Sequence, residues 1–149
     1  MPQFELRACS ADDLAVTYEI TRNAMRAYVQ QTWGSWDEAE QSLKHRQNYT
    51  PETYQLILVL GQPAGLIAVE VEPEYLWLVK LYLLSDYRGK GLGSALLAHV
   101  MQQARAQGKR VRLRVLRVNT GARRLYERHG FEVVQETPER CFMESRCSL

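Results

Sequence analysis

Hydrophobic and polar residues follow two periods along this chain. Short runs of branched and aromatic residues predict β-strands, and apolar positions three or four residues apart predict amphipathic helices. The predicted strands are 4–7, 53–60, 64–71, 75–84, 110–116, 131–136 and 140–146, and the predicted helices are 10–31, 35–48, 92–107 and 120–129. We therefore expect an α/β fold of the α+β type, with a mixed, mostly antiparallel central sheet of about seven strands flanked by about four helices.

Polar caps and glycines mark where several of these elements begin and end. Residues 10–13, Ser-Ala-Asp-Asp, form a capping box in which the serine accepts from helix N–H groups and Asp13 reaches back. A second box at 35–38 follows Gly34, so we expect the first two helices to lie next to each other. Residues 61–63, Gly-Gln-Pro, separate two strand-like runs and predict a hairpin turn.

The bulk composition limits the class of protein. The chain has 149 residues, 46% of them hydrophobic, which predicts one domain over residues 1–149 with a substantial core. The N-terminus lacks the apolar segment of a signal peptide, and the longest aliphatic run, 56–60, is far too short to span a bilayer. We therefore expect a cytoplasmic protein with no membrane partner.

The cysteine and histidine positions do not indicate a metal site. Cys9, Cys141 and Cys147 are odd in number and lack Cys-x-x-Cys spacing, so neither a disulfide framework nor a zinc site is indicated. The three histidines lie far apart in the sequence without a ligand pattern. We predict reduced thiols and no bound metal.

The charge is nearly balanced overall but uneven along the chain. The formal net charge of +2 is too small to indicate nucleic acid, although nine lysines and arginines crowd residues 105–128. A solvated face with helix C-terminal charges explains such a cluster, and so does a ligand that carries several phosphates. A basic nucleic-acid-binding domain is a third and weaker interpretation, which requires the arginines on one exposed surface.

A glycine-rich sextet at residues 88–93, Arg-Gly-Lys-Gly-Leu-Gly, connects a predicted strand to a predicted helix. Glycines let the backbone approach a ligand closely, and the unpaired N–H groups at the start of a helix attract anions such as pyrophosphate. The side chains of Arg88 and Lys90 would add positive charge for such an anion. The sextet is not a Walker loop, because Gly-Lys is followed by Gly91 and not by a hydroxyl residue that would hold magnesium. It also has Ser94 where a dinucleotide fingerprint needs its third glycine.

The spacing Arg88-x-x-Gly91-x-Gly93 resembles the acetyl-coenzyme A loop of the GNAT superfamily of N-acetyltransferases. The segment downstream is similar to the second half of the GNAT fold: a strand, then Asn119, then a helix that closes with Leu-Tyr-x-x-x-Gly-Phe at residues 125–131. The resemblance is strong from about residue 65 to residue 134 and covers the N-terminal third only by topology. It implies a sheet that splays between its fourth and fifth strands, and acetyl-coenzyme A as the cosubstrate.

The resemblance also implies roles for individual residues. In this family the fourth strand pairs with pantetheine, the glycine loop cradles the pyrophosphate, and a tyrosine at the position of Tyr126 donates a proton to the coenzyme thiolate. Core packing is the competing interpretation of Tyr126, and helix capping is that of Asn119. The implied cofactor-binding residues are Leu81, Leu83, Arg88, Gly89, Lys90, Gly91, Leu92, Gly93, Ser94 and Asn119.

The resemblance defines the general base and the acceptor site less well. Lys80 stands in the region where many relatives carry an acidic residue, so the candidate bases are Glu70 and Glu72, acting through water; a solvent-facing edge is their plainer interpretation. In this family the first two helices set specificity, and here Tyr28, Trp33 and Trp36 could wall an acceptor pocket or anchor the helices to the core.

Two arginines of the fifth predicted strand bear on the substrate. Arg112 and Arg114 alternate with apolar residues and so share one face of that strand. If this face meets the acceptor channel, the geometry favours a substrate with a carboxylate. A partly solvated face is the plainer explanation.

Taken together, the resemblance implies an enzyme that moves an acetyl group from acetyl-coenzyme A to a primary amine by direct attack in a ternary complex. The acceptor would be a small amine, a peptide N-terminus or a lysine. A non-catalytic module of the same fold that senses acyl-coenzyme A is the alternative, and Tyr126 favours the enzyme. By analogy with relatives that pair through their C-terminal strands, a homodimer is a further expectation.

Overall fold

The computed structural model describes residues 3–146, in which strands and α-helices follow the order predicted from the sequence. The strands are β1 (Glu5–Ala8), β2 (Tyr54–Val59), β3 (Gln62–Val71), β4 (Tyr75–Leu83), β5 (Arg110–Leu116), β6 (Phe131–Glu136) and β7 (Arg140–Ser145). The helices are α1 (Leu14–Trp33), α2 (Glu38–Asn48), α3 (Leu92–Ala106) and α4 (Thr120–Arg128). The strands form a sheet in the order β1-β2-β3-β4-β5-β7-β6, in which β4 and β5 are parallel and the other neighbours are antiparallel. The predicted mixed sheet is therefore confirmed.

The helix starts depend on side-chain caps, one of which differs from the prediction. The capping box at Ser10 is confirmed: its hydroxyl accepts from the Asp12 N–H, and the Asp13 carboxylate accepts from the Ser10 N–H at 2.9 Å. The second helix begins later than predicted because Asp37, and not Ser35, is its N-cap. An Asp37 carboxylate oxygen accepts from the Glu40 N–H at 2.9 Å and so satisfies a free donor of the first turn.

The β2–β3 hairpin is tighter than predicted. Its turn consists of Leu60 and Gly61, whose φ angles of 51° and 77° are both positive, as a two-residue hairpin that matches the strand twist requires. The strand β3 therefore begins at Gln62, and Pro63 lies within it next to a register shift in the pairing with β2. Proline tolerates such a position because a bulge does not need its N–H.

The two faces of the sheet carry separate hydrophobic clusters. On one face Leu96, Leu97 and Val100 of α3 pack against the sheet with other fully buried residues, which include Val111 and Leu113 of β5. On the other face Ile20 of α1 packs on a smaller cluster, whose further buried members are Tyr54, Leu56, Leu66 and Ala68. The alternation along β5 follows from this arrangement, because its apolar residues face α3 and its arginines face the side of α1 and α2.

The strand β4 has a closed half and an open half. Its residues 75–78 pair with residues 110–113 of β5, and the pairing stops there. Ala68 of β3 lies opposite Lys80, and Val69 lies opposite Leu78, so Val79 is an extra residue that forms a β-bulge. Beyond the bulge β4 stays paired with β3 but diverges from β5. The splay implied by the resemblance is thus present in the fold.

A close backbone approach holds the open half of β4 on β3. Gly65 lies opposite Leu83, and a Cβ at position 65 would lie only 2.2 Å from the Tyr82 carbonyl oxygen. Any side chain at this position would push the two strands apart. Gly65 therefore keeps the open half of β4 in place without help from β5.

The remaining expectations concern the thiols and the membrane. Cys9 and Cys141 carry free thiols, and Cys147 lies outside the described residues. Across residues 3–146 no helix combines the length and the hydropathy that a bilayer crossing needs.

Candidate active site

A cleft of about 1230 Å³ follows the gap between β4 and β5 and is walled by parts of all four helices. Its floor is the open half of β4. Because Leu84 donates to the Ala64 carbonyl, the alternation of antiparallel pairs directs the backbone groups of Lys80 and Tyr82 toward β3. Those of Leu81 and Leu83 point the other way, into the gap. An extended ligand could therefore pair with β4 in the place that β5 leaves.

One end of the cleft carries a row of backbone donors. Gly91 is the N-cap of α3 with a φ of 83°, and it has no side chain that could cap the helix. Over residues 89–94 the N–H groups make no hydrogen bond to another backbone group of the described chain, and the helix bonding begins with Ala95 donating to the Gly91 carbonyl. These unpaired donors lie at the positive end of a helix dipole and form an anion site.

Arg88 is used differently from the expectation that its side-chain charge is free for a phosphate. Its Nε donates to the Leu83 carbonyl at 2.9 Å, and its Nη2 donates to the Asn23 Oδ1 at 3.1 Å and to the Asn23 carbonyl at 3.3 Å. The same Asn23 Oδ1 accepts from the Ser85 N–H at 3.1 Å. The guanidinium thus ties α1 to the end of β4, and it lies against the cleft as part of the loop's framework.

Two tyrosines meet in the gap. Tyr126 of α4 is buried with its ring centroid 5.8 Å from that of Phe131, and Tyr82 projects from the open half of β4. Both line the cleft. Burial, and then the neighbouring Tyr82, raise the pKa of Tyr126 well above its usual range; burial raises the pKa of Tyr82 to about 12. Both phenols therefore stay protonated at neutral pH and act as hydrogen-bond donors.

Asn119 caps α4, as its competing interpretation suggested. Its Oδ1 accepts from the Ala122 N–H at 3.2 Å. The residue also lines the cleft, so its amide NH₂ group remains available beside the space that a ligand would fill. The coenzyme contact implied by the resemblance remains a prediction.

Glu70 is not brought into the cleft. It lies opposite Trp77 in the closed half of β4, whereas the cleft opens on the other side of the bulge at Val79. The sequence could not show this because the position of the bulge depends on the register between β3 and β4. Neither Glu70 nor Glu72 is among the residues that line the cleft, and a base that acts through water from this strand remains a prediction.

Three aromatic residues predicted for the acceptor site, Tyr28, Trp33 and Trp36, all line the cleft. Trp33 is the last residue of α1 and is half-exposed, with the Arg140 guanidinium 5.3 Å from its ring centroid. The indole Nε1 of Trp36 donates to a Glu38 carboxylate oxygen at 2.9 Å. The helix α1 and its connection to α2 thus form the wall that faces the strands.

The basic residues of β5 fall into different surroundings. Arg112 donates to a Glu144 carboxylate oxygen, as Arg110 does at 2.5 Å, and its guanidinium lies 4.5 Å from the ring centroid of Tyr75. Arg114, two residues further on, lines the cleft. Within residues 105–128, Arg110, Arg112 and Arg123 lie in ion pairs, whereas Arg114 and Arg128 line the cleft.

Lys80 follows the bulge and points toward α1 and α2. Its ammonium lies 5.1 Å from the ring centroid of Tyr54 and 5.9 Å from that of Tyr82. Behind it His45 of α2 is buried, with Nε2 at 2.9 Å from the Thr17 hydroxyl and Nδ1 without a partner. Burial, and then the charge of Lys80, lower the pKa of His45 to about 4, so its imidazole is neutral.

Several residues of the cleft escape prediction from sequence. Tyr82 has a signal, because it lies two residues after Lys80 on the same strand and so shares its face. His45 and Arg140 have no signal in the linear pattern, because they reach the cleft only through the packing of distant elements. The same holds for Asn23, which does not line the cleft but binds Arg88. Among the described residues no group of three or more metal-ligating side chains comes together.

The comparisons with known proteins agree with this geometry. The model of the acetyltransferase (GNAT) family matches residues 17–131. An uncharacterized N-acetyltransferase from Methanocaldococcus jannaschii is 27% identical over 142 residues, with 87% of this chain and 61% of that protein covered. The chain thus spans about three fifths of the length of this curated relative.

Solved structures resemble the whole described fold. The PaiA N-acetyltransferase from Thermoplasma acidophilum, in complex with coenzyme A, has a TM-score of 0.78 at 22% identity over 97% of this chain and 99% of that one. The ribosomal-protein-S18-alanine N-acetyltransferase from Escherichia coli has a TM-score of 0.73 at 22% identity over 99% of this chain and 96% of that one. Because the family match extends over more than half of the sequence, the chain belongs to the GNAT family of acetyltransferases.

Proposed function

We propose that this chain is an N-acetyltransferase that moves an acetyl group from acetyl-coenzyme A to a primary amine by direct attack in a ternary complex. One observation carries the proposal: the unpaired N–H groups of residues 89–94 and the open edge of β4 border the same cleft as Tyr126. A donor with a pyrophosphate, an extended arm and a thioester fits this succession of features.

The donor would lie along β4. Its pyrophosphate accepts from the N–H groups of Gly89, Lys90, Gly91, Leu92, Gly93 and Ser94, while Arg88 holds this loop through Leu83 and Asn23. Its pantetheine arm pairs with Leu81 and with the N–H of Leu83, whose carbonyl already accepts from Arg88. Asn119 borders the arm from the start of α4.

The reaction needs a donor for the oxyanion and a partner for the leaving thiolate. The amine nitrogen attacks the thioester carbonyl, the C–S bond of the tetrahedral intermediate breaks, and the leaving thiolate of coenzyme A takes up the proton that the amine nitrogen loses. The bulge at Val79 turns the backbone beside the carbonyl and could present an N–H to the oxyanion. Tyr126 donates a hydrogen bond to the sulfur, and because burial raises its pKa, it stabilises the thiolate more readily than it gives up its proton.

The acceptor amine must be neutral when it attacks. The cleft offers positive charge directly after the bulge, from Lys80. Such charge lowers the pKa of a bound ammonium group, so the amine can lose its proton to water before the attack. This route replaces the carboxylate base that was expected from Glu70.

A thiol-release assay tests the proposal. The protein is incubated with acetyl-coenzyme A and a panel of amines, amino acids and N-terminal peptides, free thiol is followed, and the acetylated product is identified by mass spectrometry. Tyr126→Phe is expected to lower kcat by about 10- to 100-fold, at the lower end of the range for general acids because a thiolate leaves easily. Tyr82→Phe is the matched control, since it removes the neighbouring phenol from the same gap.

The outcomes separate the enzyme from a sensor. Acetyl-coenzyme A that binds without acetylation of any amine would contradict the proposal and favour a non-catalytic module. Equal rates for wild type and Tyr126→Phe would remove the role given to Tyr126. A larger loss in Tyr82→Phe would assign the thiolate contact to the other phenol.

A further inference from the structure

Three cations line the acceptor half of the cleft without a carboxylate partner. Lys80, Arg114 and Arg140 border the cleft from three different strands, and none of them makes an ion pair with a carboxylate in the described part of the chain. Lys80 and Arg140 contact aromatic rings, those of Tyr54 and Tyr82 for the lysine and that of Trp33 for the arginine.

The strand register places two of these cations side by side. Arg114 lies opposite Phe142, and Arg140 lies opposite Leu116, so the two arginines are diagonal neighbours on one face of β5 and β7. Lys80 faces the same side from β4 across the gap. The three positive groups therefore converge on one region between the strands and the α1 wall.

The protonation equilibria agree with this convergence. Burial, and then the charge of Arg114, lower the pKa of Lys80. The same two causes, in the same order, lower the pKa of Arg140. Each shift means that the folded protein makes the positive charge less favourable than water does.

The carboxylates that line the cleft already have partners, and Glu139, the residue before Arg140, attracts its charge but forms no ion pair with it in the described chain. Among the described residues that line the cleft, Asp37 and Glu40 are the acidic ones, and both lie in the first turn of α2 or at its cap. Asp37 accepts from the Glu40 N–H, and Glu40 lies 3.4 Å from the Lys44 ammonium. The positive region is thus left for a charge that comes from outside.

We propose that the acceptor amine carries a carboxylate, which Arg114 and Arg140 bind together while Lys80 closes the third side. This inference rests on the proposed function and names the substrate class of the same site. The planar guanidinium groups suit a carboxylate because each can donate two parallel N–H bonds. Trp33, stacked under Arg140, restricts the orientation of that guanidinium. Conversely, acceptors with a second positive charge meet repulsion here.

Matched pairs of acceptors test the charge requirement. The pairs are L-leucine with L-leucinamide, β-alanine with β-alaninamide, and the peptides Ala-Glu-Ala and Ala-Gln-Ala with amidated C-termini. The pairs distinguish a free amino acid from a peptide as the source of the carboxylate, and putrescine serves as the doubly charged acceptor. We expect at least one carboxylate member to exceed its amide by about tenfold or more in kcat/KM, the value of a hydrogen-bonded charge pair.

The variants Arg114→Gln and Arg140→Gln locate the effect. Each should raise KM for the carboxylate acceptor by about tenfold and leave the rate on its amide unchanged, because the guanidinium contacts the carboxylate and not the reacting nitrogen. Arg112→Gln is the matched control: it lies on the same strand and face, two residues away, and outside the cleft. It should match wild type with both acceptors.

A binding measurement separates this inference from the proposed function. Calorimetry with coenzyme A present, in which L-leucine, β-alanine and the acidic peptide are titrated into wild type and Arg114→Gln, needs no turnover. Binding by wild type that weakens in the variant supports the inference even if no acetylation occurs. Acetylation that is equal for carboxylate and amide members, or faster for putrescine, would overturn the inference and leave the acetyltransferase in place. So would an equal loss in Arg112→Gln.

Discussion

Two pairs of arginines share one face of β5 and β7, but their surroundings differ. Arg110 and Arg112 both donate to Glu144, whose side chain is only 11% exposed, and Arg112 also lies over Tyr75. Arg114 and Arg140, on the same strands, make no ion pair in residues 3–146. The first pair thus has its carboxylate partner within the protein. The second pair faces the cleft and is left to be completed by a ligand.

The comparison shows how a small chain reserves a binding site. Glu144 lies opposite Arg112 in the register, and the equivalent position opposite Arg114 is Phe142. A single cross-strand position thus decides whether an arginine has a structural partner. Both positions of β5 carry an arginine, so the residue types of β5 alone do not distinguish them.

The largest expected effect concerns the pH dependence of stability that the buried His45 causes. Its pKa is lowered from 6.5 to about 4 by burial and then by Lys80, so the unfolded chain binds a proton more readily than the folded one. The free energy of unfolding therefore keeps its full value above pH 6.5. It falls by up to about 3 kcal/mol as the pH is lowered toward 4. Urea unfolding at pH 7.5 and pH 4.5 measures it.

The control for this prediction uses three variants. His45→Asn should lose the part of the pH dependence that wild type shows between these two values. Lys80→Met should raise the pKa of His45, followed by NMR, and weaken the dependence, whereas Arg112→Met should leave both unchanged. An unshifted His45 in Lys80→Met would mean that the cleft cations do not act on it.

The next prediction gives Arg114 a carboxylate partner within the protein, like the one that Arg112 has. Phe142→Glu places a carboxylate opposite Arg114, as Glu144 lies opposite Arg112. This internal partner should compete with the acceptor and lower kcat/KM for the carboxylate acceptor by about 100-fold, since close charge pairs are worth about 2 to 3 kcal/mol. The measurement is the ratio of rates on L-leucine and L-leucinamide. Phe142→Gln, which has the same size without the charge, should keep the preference of wild type.

A smaller effect is expected when the ion pairs of Glu144 with Arg110 and Arg112 are removed. Glu144→Gln leaves Arg110 and Arg112 without their carboxylate and should lower the free energy of unfolding by about 1 to 2 kcal/mol, a value reduced because both guanidinium groups are half-exposed. Chemical denaturation at pH 7 measures it. Acetyl transfer should be unaffected, because Glu144 lies outside the cleft. A loss of transfer larger than the loss of folded protein would contradict this separation.

The smallest effect has the opposite sign. Arg114→Gln removes a positive charge from beside Lys80 and Arg140. The free energy of unfolding should therefore stay constant or rise slightly, by no more than the value of an exposed like-charge pair, about 0.2–0.5 kcal/mol. The same denaturation experiment measures it alongside Glu144→Gln. A clear destabilisation would show that Arg114 has a structural role that its surroundings do not reveal.

The contrast between local and distant information explains what the sequence predicts. The strands and helices depend on periodicity and short spacings, and the structure agrees with those elements. The roles of the glycine loop and of Tyr126 come from the family resemblance and remain predictions. The bulge at Val79 depends on how β3 and β4 align, so the sequence could not show where Glu70 lies relative to the cleft. Arg88 looked free because its partner Asn23 lies 65 residues away. Arg112 and Arg114 looked equivalent because Glu144 enters only through β7.

The proposed binding of the acceptor carboxylate by Arg114 and Arg140 can be tested most directly on the arginine side chains themselves. Nitrogen-15 NMR of the arginine Nε–H groups, with coenzyme A bound, is recorded while the preferred carboxylate acceptor is titrated. We expect saturable chemical-shift changes for the Nε–H groups of Arg114 and Arg140, and no changes for those of Arg110 and Arg112. Shifts that are absent at Arg114 and Arg140, or that are equal in both pairs, would contradict it.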